Sequence, residues 1–340
     1  SSPLLPIVGE RLMRSPCSFA LAFLGMLFVS TPHAALQEDR VFEFTYEVRA
    51  PELPSDRAVD VFIPMPLENA DQIILDQSVA SSLEGEPGVE DVHGNRYLKV
   101  HRAAGDNTPI EAAFTWQVQR RIDKGELAEP TEDELALYLA PNRLVPVKHE
   151  VLDPILAEVH AMRADDSPAA TARAIYDWVV DNVEYKKVGT GWGNGDTFWA
   201  CSERYGNCTD FHALFVALAR TEGIPARFEI GFPVPMDRPD GNIGGYHCWV
   251  KFYLPGQGWV PIDASEAAKH PEQRELLYGT HPADRIHFTM GRDLTVSESS
   301  VKQPLNYFIY PYVEVDGKQW QQKLDTRFSF RELRQTQSAR

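Results

Sequence analysis

Residues 205–219 read Tyr205-Gly-Asn-Cys-Thr-Asp-Phe-His-Ala-Leu-Phe-Val-Ala-Leu-Ala219, and the rest of the chain is expected to be organised around them. A Gly-Asn turn leads directly into apolar residues that recur with the period of an α-helix. These residues are Phe211, Leu214, Phe215 and Leu218. Gly223 follows as a helix stop, so the pattern predicts a buried helix with Cys208 in its first turn. Unpaired N–H groups and the helix dipole favour a thiolate over a thiol at that position.

The composition is that of a globular protein large enough for two domains. The chain has 340 residues, of which 43% are hydrophobic and 24% are charged, and this length permits a sizeable core. The formal net charge of −16 argues against nucleic acid or an anionic membrane surface as a partner. It allows a basic or neutral substrate.

Residues 1–35 are expected to be an upstream extension followed by a secretory signal. Met13 and Arg14 precede an uncharged apolar run at residues 19–29, and small residues follow at Ala34 and Ala35. The run is short for a bilayer span, although an uncleaved membrane anchor stays open as an alternative. We therefore expect a periplasmic or extracellular protein that touches the membrane only through this segment, and only if it is uncleaved.

Residues 36–140 predict an N-terminal β-sandwich domain. Apolar residues alternate with polar ones in four short runs, at residues 41–48, 60–64, 97–101 and 112–118. Turn signals lie between the runs, at residues 54–56, 86–88 and 93–95. Short strands at this spacing are typical of an antiparallel sandwich.

The rest of the chain divides into a domain with the candidate chemistry, residues 141–290, C-terminal strands that pack on the core, residues 291–330, and a polar tail, residues 331–340. Within the first of these, glycines alternate at residues 189–195. A dinucleotide-binding loop needs a different glycine spacing between a strand and a helix. The glycine run is therefore interpreted as a loop that lines a cleft.

A histidine and an aspartate lie downstream on predicted neighbouring strands. A three-residue loop, residues 254–256, would pair Tyr253 with Gln257 and place His247 directly opposite Asp263. A loop of two or four residues without a bulge would put the two side chains on opposite faces. The sequence therefore permits a His–Asp pair without proving it.

Three cysteines follow the signal segment, namely Cys201, Cys208 and Cys248. An odd number in an exported chain suggests a free reactive thiol, and Cys208 would be that thiol if the other two paired. A metal site built from Cys201, Cys208 and His212, with His247 or Cys248 as a fourth ligand, is the alternative, but its spacing matches no standard zinc pattern. We expect neither a metal nor a cofactor.

Four blocks in order resemble the transglutaminase-like superfamily of papain-type thiol enzymes. They are Gly206-Asn-Cys-Thr-Asp-Phe, Gly223-Ile-Pro-Ala-Arg, Gly245-Tyr-His-Cys-Trp and Gly258-Trp-Val-Pro-Ile-Asp263. The resemblance covers roughly residues 145–290, with spacings of 39 residues from Cys208 to His247 and 16 from His247 to Asp263. It implies an α+β fold in which the nucleophile helix packs on an antiparallel sheet, preceded by a β-sandwich domain as in exported bacterial members.

The resemblance also implies roles for individual residues. Cys208 would attack an acyl carbon as a thiolate, His247 would transfer the proton, and Asp263 would hold the imidazole. The backbone N–H of Cys208 would stabilise the oxyanion. The upstream tryptophan of cross-linking members suggests Trp199 as a second donor, and Asn207 and Tyr246 are further candidates for the oxyanion site or cleft.

The expected function is that of an exported thiol enzyme that acts on amide bonds through an acyl-enzyme on Cys208. Hydrolysis, as in a peptidase or amidase, is favoured because no calcium-binding acidic loop is present. Acyl transfer from protein glutamine to an amine, which cross-links proteins, is one alternative. A non-catalytic module that binds peptide or cell-wall material in the same groove is another. The expected partner is a protein or peptide, including a cell-wall peptide.

Overall fold

Alternating apolar and polar residues form the first strand, as the sequence predicts. The computed structural model describes residues 39–333. In the strand Asp39–Ala50, the side chains of Phe42, Phe44 and Tyr46 are fully buried, whereas most residues between them are partly exposed. Burial at every second position places one face of a strand on a hydrophobic core.

Strands outnumber helices in the described part of the chain. The strands are β1 (Asp39–Ala50), β2 (Val59–Pro64), β3 (Gln72–Ser81), β4 (Gly85–Val89), β5 (Arg96–Arg102), β6 (Ile110–Arg121), β7 (Glu184–Tyr185), β8 (Tyr205–Gly206), β9 (Ala226–Pro233), β10 (Asp240–Ile243), β11 (His247–Leu254), β12 (Gly258–Ile262), β13 (Arg285–Met290), β14 (Tyr312–Val315), β15 (Lys318–Gln319) and β16 (Asp325–Glu332). The α-helices are α1 (Glu132–Leu139), α2 (Asp153–Met162), α3 (Pro168–Asn182), α4 (Thr197–Glu203), α5 (Cys208–Thr221), α6 (Ala264–Lys269) and α7 (Glu298–Lys302).

Three antiparallel sheets make up most of the fold. Sheet 1 has the order β10-β16-β1-β6-β3, sheet 2 the order β15-β14-β2-β5-β4, and sheet 3 the order β12-β11-β9-β13. The short strands β7 and β8 form a separate parallel pair. This combination of antiparallel sheets with few helices confirms the predicted α+β class.

Aromatic side chains join sheet 1 to sheet 3. The ring centroid of Phe44 on β1 lies 5.3 Å from that of Phe232 on β9 and 5.7 Å from that of Phe288 on β13. Val61 of sheet 2 belongs to the same buried cluster. Each buried phenylalanine stabilises the fold by about 1.5–3 kcal/mol, so the sheet-rich N-terminal region and the sheet that carries His247 share one core.

The strands after residue 290 complete the two N-terminal sheets. Strand β16 pairs with β1, where Phe330 faces Phe44, and also with β10. Strand β14 pairs with β2, where Val313 faces Val61. The edges of β1 and β2 are therefore covered by segments from the other end of the described chain.

Two strands of the N-terminal region were missed by the sequence analysis. Strand β3 lacks clean alternation because most of its residues are exposed. The turn predicted at residues 86–88 is wrong, since these residues lie in β4. Strand β4 is the edge of sheet 2, and Pro87 is tolerated there because an edge strand leaves some N–H groups unpaired.

Helix α5 is buried along almost its whole length, which confirms the predicted central helix. Phe211, Leu214, Phe215 and Leu218 are fully buried. Phe215 packs on Phe252 of β11, with ring centroids 5.7 Å apart. The helix therefore lies against the strand that begins with His247.

The predicted signal segment falls outside the described residues. Among residues 39–333, no helix is long and apolar enough to span a membrane.

Candidate active site

Cys208 is the first residue of helix α5 and is 2% exposed. Asn207 caps the helix by accepting a hydrogen bond from the N–H of Thr209 through its side chain. Asp210 accepts the N–H of Asn207 in return, which completes a capping box. The Gly-Asn turn thus fixes where the helix starts and places the thiol at its positive end.

His247 and Asp263 form a hydrogen bond, with His247 Nε2 2.7 Å from Asp263 Oδ2. The predicted register of the hairpin is wrong, because Leu254 pairs with Gly258 rather than Tyr253 with Gln257. The loop is residues 255–257, and both Gly256 and Gly258 have positive φ. In this register Asp263 does not lie directly opposite His247. It follows β12 as the N-cap of α6, and its side chain extends diagonally across to His247.

Every oxygen of the Asp263 carboxylate has hydrogen-bond donors around it. Oδ2 accepts from His247 and from Arg285 Nη1 at 3.0 Å. Oδ1 accepts from the Ser265 hydroxyl and the Glu266 N–H, both at 3.1 Å. Burial opposes ionisation, but the charges of His247 and Arg285 hold the pKa of Asp263 well below its ordinary value. Asp263 is therefore a fixed, ionised acceptor.

Cys208 and His247 favour an ion pair of thiolate and imidazolium. Burial alone would raise the pKa of Cys208, but hydrogen bonds with Cys248 and His247 and the charge of His247 hold it well below the ordinary value. Burial likewise would lower the pKa of His247, but Asp263 and Cys208 raise it to about 10. Since Nε2 of His247 is bonded to Asp263, Nδ1 is the nitrogen left for the thiol.

His212, one helical turn after Cys208, is held as a neutral ring. Its Nε2 accepts the N–H of Ala264 at 3.1 Å, so Nδ1 carries the proton and donates to Cys248 Sγ at 3.5 Å. Burial lowers the pKa of His212 to about 3. The ring thus fixes Cys248 beside the candidate nucleophile.

The three cysteines of the described residues are all free. The hypothesis that Cys201 and Cys248 pair is therefore wrong, because Cys248 lies against His212 instead. Within residues 39–333, no three His, Cys, Asp or Glu side chains are grouped closely enough to hold a metal ion.

The further candidates for the oxyanion site or cleft have different surroundings. Trp199 packs edge-on against Tyr205, with ring centroids 5.0 Å apart. The side-chain amide of Asn207 donates to the Tyr246 hydroxyl at 2.9 Å, and that hydroxyl lies 2.8 Å from Thr209 Oγ1. Asn207 and Tyr246 are therefore engaged with each other, and their predicted roles toward a substrate stay predictions.

The glycine-rich loop is held by buried charges that sequence reasoning missed. Asp210 accepts the N–H of Gly193 at 2.7 Å and of Gly195 at 3.1 Å. Arg292 donates through Nη2 to the carbonyls of Asn194 and Gly195 at 3.0 and 3.1 Å. The loop that precedes the helix is thus held from both sides, and its role in lining a cleft stays a prediction.

A tyrosine from the segment after β13 also holds the glycine-rich loop. The Tyr307 hydroxyl donates to the Gly193 carbonyl at 3.0 Å, and its ring packs on Tyr246, with centroids 5.5 Å apart. Arg285, Arg292 and Tyr307 each stand alone in the sequence, without a motif that would mark them. Only the sheet topology brings them to the site.

Comparison with known proteins finds a family whose model matches the part of the chain that contains the site. A model described as the transglutaminase-like superfamily matches residues 157–264, a range that contains Cys208, His247 and Asp263. An uncharacterized protein of Haemophilus influenzae is 32% identical over 185 residues, which are 45% of this chain and 50% of that protein. The uncharacterized protein YebA of Bacillus subtilis is 33% identical over 79 residues, which are 21% of this chain and 11% of that protein.

The chain thus spans half or less of the length of these curated relatives. A crystal structure of a proposed cysteine protease from Cytophaga hutchinsonii is similar to 87% of this chain and 92% of that chain, with a TM-score of 0.58 and 19% identity. This likeness extends over the sheets as well as the matched core, and at that identity it bears on the fold.

Proposed function

Because residues 157–264 belong to the transglutaminase-like superfamily, we propose that this protein is a thiol enzyme that hydrolyses amide bonds in peptides through an acyl-enzyme on Cys208. The observation that carries the proposal is the 2.7 Å hydrogen bond between His247 Nε2 and Asp263 Oδ2. It leaves Nδ1 of the ring for Cys208, whose thiol begins a buried helix. A nucleophile, a base and a group that orients the base are the parts that acyl transfer needs.

The proposed reaction has two halves. The Cys208 thiolate attacks the carbonyl carbon of the amide, and His247, as imidazolium, gives its proton to the leaving amine. The oxyanion accepts from the Cys208 N–H, which has no acceptor within the helix because it belongs to the first turn. Water then attacks the thioester, His247 takes a proton from it, and the acid leaves with Cys208 restored as thiolate.

One feature of the site supports a peptide as substrate, and one feature of the sequence supports a location outside the cytoplasm. Asp210, Arg292 and Tyr307 hold the glycine-rich loop as a fixed wall beside the start of α5, and an extended chain can lie against such a wall. The apolar run at residues 19–29 with the small residues after it favours export. We therefore propose a peptide substrate outside the cytoplasm, cell-wall peptides included.

The test is to trap the acyl-enzyme. The protein would be incubated with a library of peptide amides, quenched in acid, and digested, and the modified residue would be mapped by mass spectrometry. Acyl adducts on Cys208, absent from Cys208→Ala and faint in His247→Ala, are expected. Cys201→Ala is the matched control and keeps the adduct.

The fate of the adduct separates hydrolysis from its alternatives. Free acid as the product, with or without an added primary amine, is the expected result. Product that appears only with the amine would replace hydrolysis with acyl transfer. A Cys208→Ala protein that binds peptides as the wild type does, while the wild type forms no adduct with any of them, would replace the enzyme with a binding module.

A further inference from the structure

A buried arginine shares an oxygen of Asp263 with His247. Arg285 begins strand β13 and is 1% exposed. Its Nη1 lies 3.0 Å from Asp263 Oδ2, the same oxygen that lies 2.7 Å from His247 Nε2. The carboxylate thus bridges a permanent cation and the candidate base.

The guanidinium of Arg285 is itself held on two other sides. Its Nε donates to Asp284 Oδ1 at 2.9 Å. Its central carbon lies 4.9 Å from the centroid of the Trp249 ring. Trp249 is two residues after His247 on β11, and its indole N–H donates to Glu229 at 2.8 Å. Packing and hydrogen bonds therefore fix the direction from which Arg285 approaches Asp263.

We propose that Arg285 is a positioning residue that keeps Asp263 Oδ2 aligned with His247 Nε2. This inference rests on the proposed function, since His247 is the group whose orientation matters. Oδ1 is held by Ser265 and by a backbone N–H. Arg285 gives Oδ2 a second, charged donor, and such bonds are stronger than neutral ones. The carboxylate is then unable to turn away when His247 gives up its proton.

Several charged or titratable groups face Asp263 or its partner from the packed elements. They are His247 of β11, Arg285 of β13, His212 of α5, whose Nε2 is 3.7 Å from Asp263 Oδ1, and Glu266 of α6, which lies 3.9 Å from His247 Nε2. The Cys208 thiol faces the other side of His247. Arg285 is the member of this set that carries a positive charge at every working pH.

The experiment compares Arg285→Gln, which removes the charge, with Arg285→Lys, which keeps it. Arg102→Met is the control, because Arg102 is 4% exposed but bonds only to carbonyls of Leu53, Pro54 and Thr108. The rate at which iodoacetamide alkylates Cys208 is measured across pH, together with kcat and KM. The alkylation readout requires no substrate.

For Arg285→Gln, the pH profile of alkylation is expected to move to higher pH by about one unit, because an Asp263 that is free to turn stabilises the His247 imidazolium less, and the Cys208 thiolate then loses part of the positive charge that favours it. We expect kcat to fall about tenfold to a hundredfold, with KM nearly unchanged. Losses of activity of this size follow when a hydrogen-bond partner that orients a metal-binding side chain is removed, and Arg285 would orient Asp263 in the same manner. Arg285→Lys keeps the profile of the wild type and loses part of kcat. Arg102→Met leaves both unchanged.

Repeating Arg285→Gln in a protein that already carries Asp263→Asn separates a positioning role from an effect on general stability. In Asp263→Asn the partner of Arg285 is neutral, so adding Arg285→Gln is expected to lower kcat little further. Equal losses in both backgrounds, or an unshifted pH profile in Arg285→Gln, would overturn the proposal. If Arg285→Gln does not fold, Arg285→Lys decides, and a kcat equal to that of the wild type would overturn it. If Asp263→Asn itself alkylates as the wild type does, the proposed function fails instead.

Discussion

Asp210 Oδ2 accepts a hydrogen bond of 2.7 Å from the backbone N–H of Gly193, across 17 residues of sequence. The same carboxylate accepts the N–H of Gly195 and of Asn207. One buried side chain in the first turn of α5 therefore fixes both the start of the helix and the loop beside it. The position of the thiol and the shape of the proposed cleft depend on a common anchor.

Replacing Asp210 by asparagine is expected to destabilise the protein by about 1–3 kcal/mol, the cost of weakening hydrogen bonds to a buried group. An amide oxygen is a poorer acceptor for three N–H groups than a carboxylate. Urea unfolding should be measured well above the pKa of Asp210, which burial raises to about 6, so that the carboxylate is ionised.

Asp165→Asn is the control for this change, because Asp165 also accepts a backbone N–H but from an exposed position. Its effect should stay within about 0.5 kcal/mol. Equal unfolding free energies for Asp210→Asn and wild type would contradict the anchor role.

Cys208 and Cys201 are expected to differ widely in reactivity within one protein. Hydrogen bonding to Cys248 and His247 keeps the pKa of Cys208 well below ordinary, whereas burial raises the pKa of Cys201 to about 11. Alkylation by iodoacetamide near neutral pH should therefore label Cys208 first, and Cys201 should label quickly only in alkali. Mass spectrometry of timed samples measures both rates, and similar rates for the two thiols at neutral pH would count against the ion pair.

The thiol of Cys248 is expected to tune its neighbour. Because its hydrogen bond to Cys208 favours the thiolate, Cys248→Ala should move the acid limb of Cys208 alkylation to higher pH. Cys201→Ala serves as the control and should leave that limb in place. If the acid limb of Cys208 alkylation lies at the same pH in Cys248→Ala as in the wild type, His247 alone sets the pKa of Cys208.

Acid should destabilise the fold through His212. Its pKa in the folded protein is about 3 against about 6.5 in an unfolded chain, so the unfolded state binds more protons between these values. Stability is therefore lost as the pH falls from about 6.5 toward 3, by at most about 1.4 kcal/mol per pH unit.

His212→Gln removes this term, because an amide does not titrate. The difference in unfolding free energy between wild type and this variant should shrink as the pH falls through that window. His287, whose pKa burial lowers to about 4, is present in both proteins and cancels in the difference. A pH-independent difference would show that His212 titrates as it does in the unfolded chain.

Local pattern was enough to predict helix α5, because its apolar period, its Gly-Asn start and Gly223 all lie within one short stretch. Alternation likewise predicted β1, whose one face is buried. It failed for β4, because Pro87 is a turn signal in most settings and the edge of a sheet is not visible in a local window.

The groups around the candidate triad were harder to predict for a different reason. Cys208, His247 and Asp263 stood out because their blocks resembled a family in order and spacing. Arg285 and Tyr307 contact the site only after β13 and the C-terminal segment fold against it. A single arginine or tyrosine in a strand-like segment carries no local signal of such a contact. The hairpin register also depended on where the turn closes, which Gly258 with its positive φ decides.

The pairing of β16 with β1 and β10 has a consequence for folding during synthesis on the ribosome. During synthesis β1 leaves the ribosome early, whereas β16, the last strand of residues 39–333, is made after all the residues around Cys208. Until then β1 presents an unpaired edge, and Tyr307 has not yet reached the glycine-rich loop. A nascent chain that ends before β16 therefore lacks these contacts, and reactivity of the Cys208 thiol should appear only after β16 has been made.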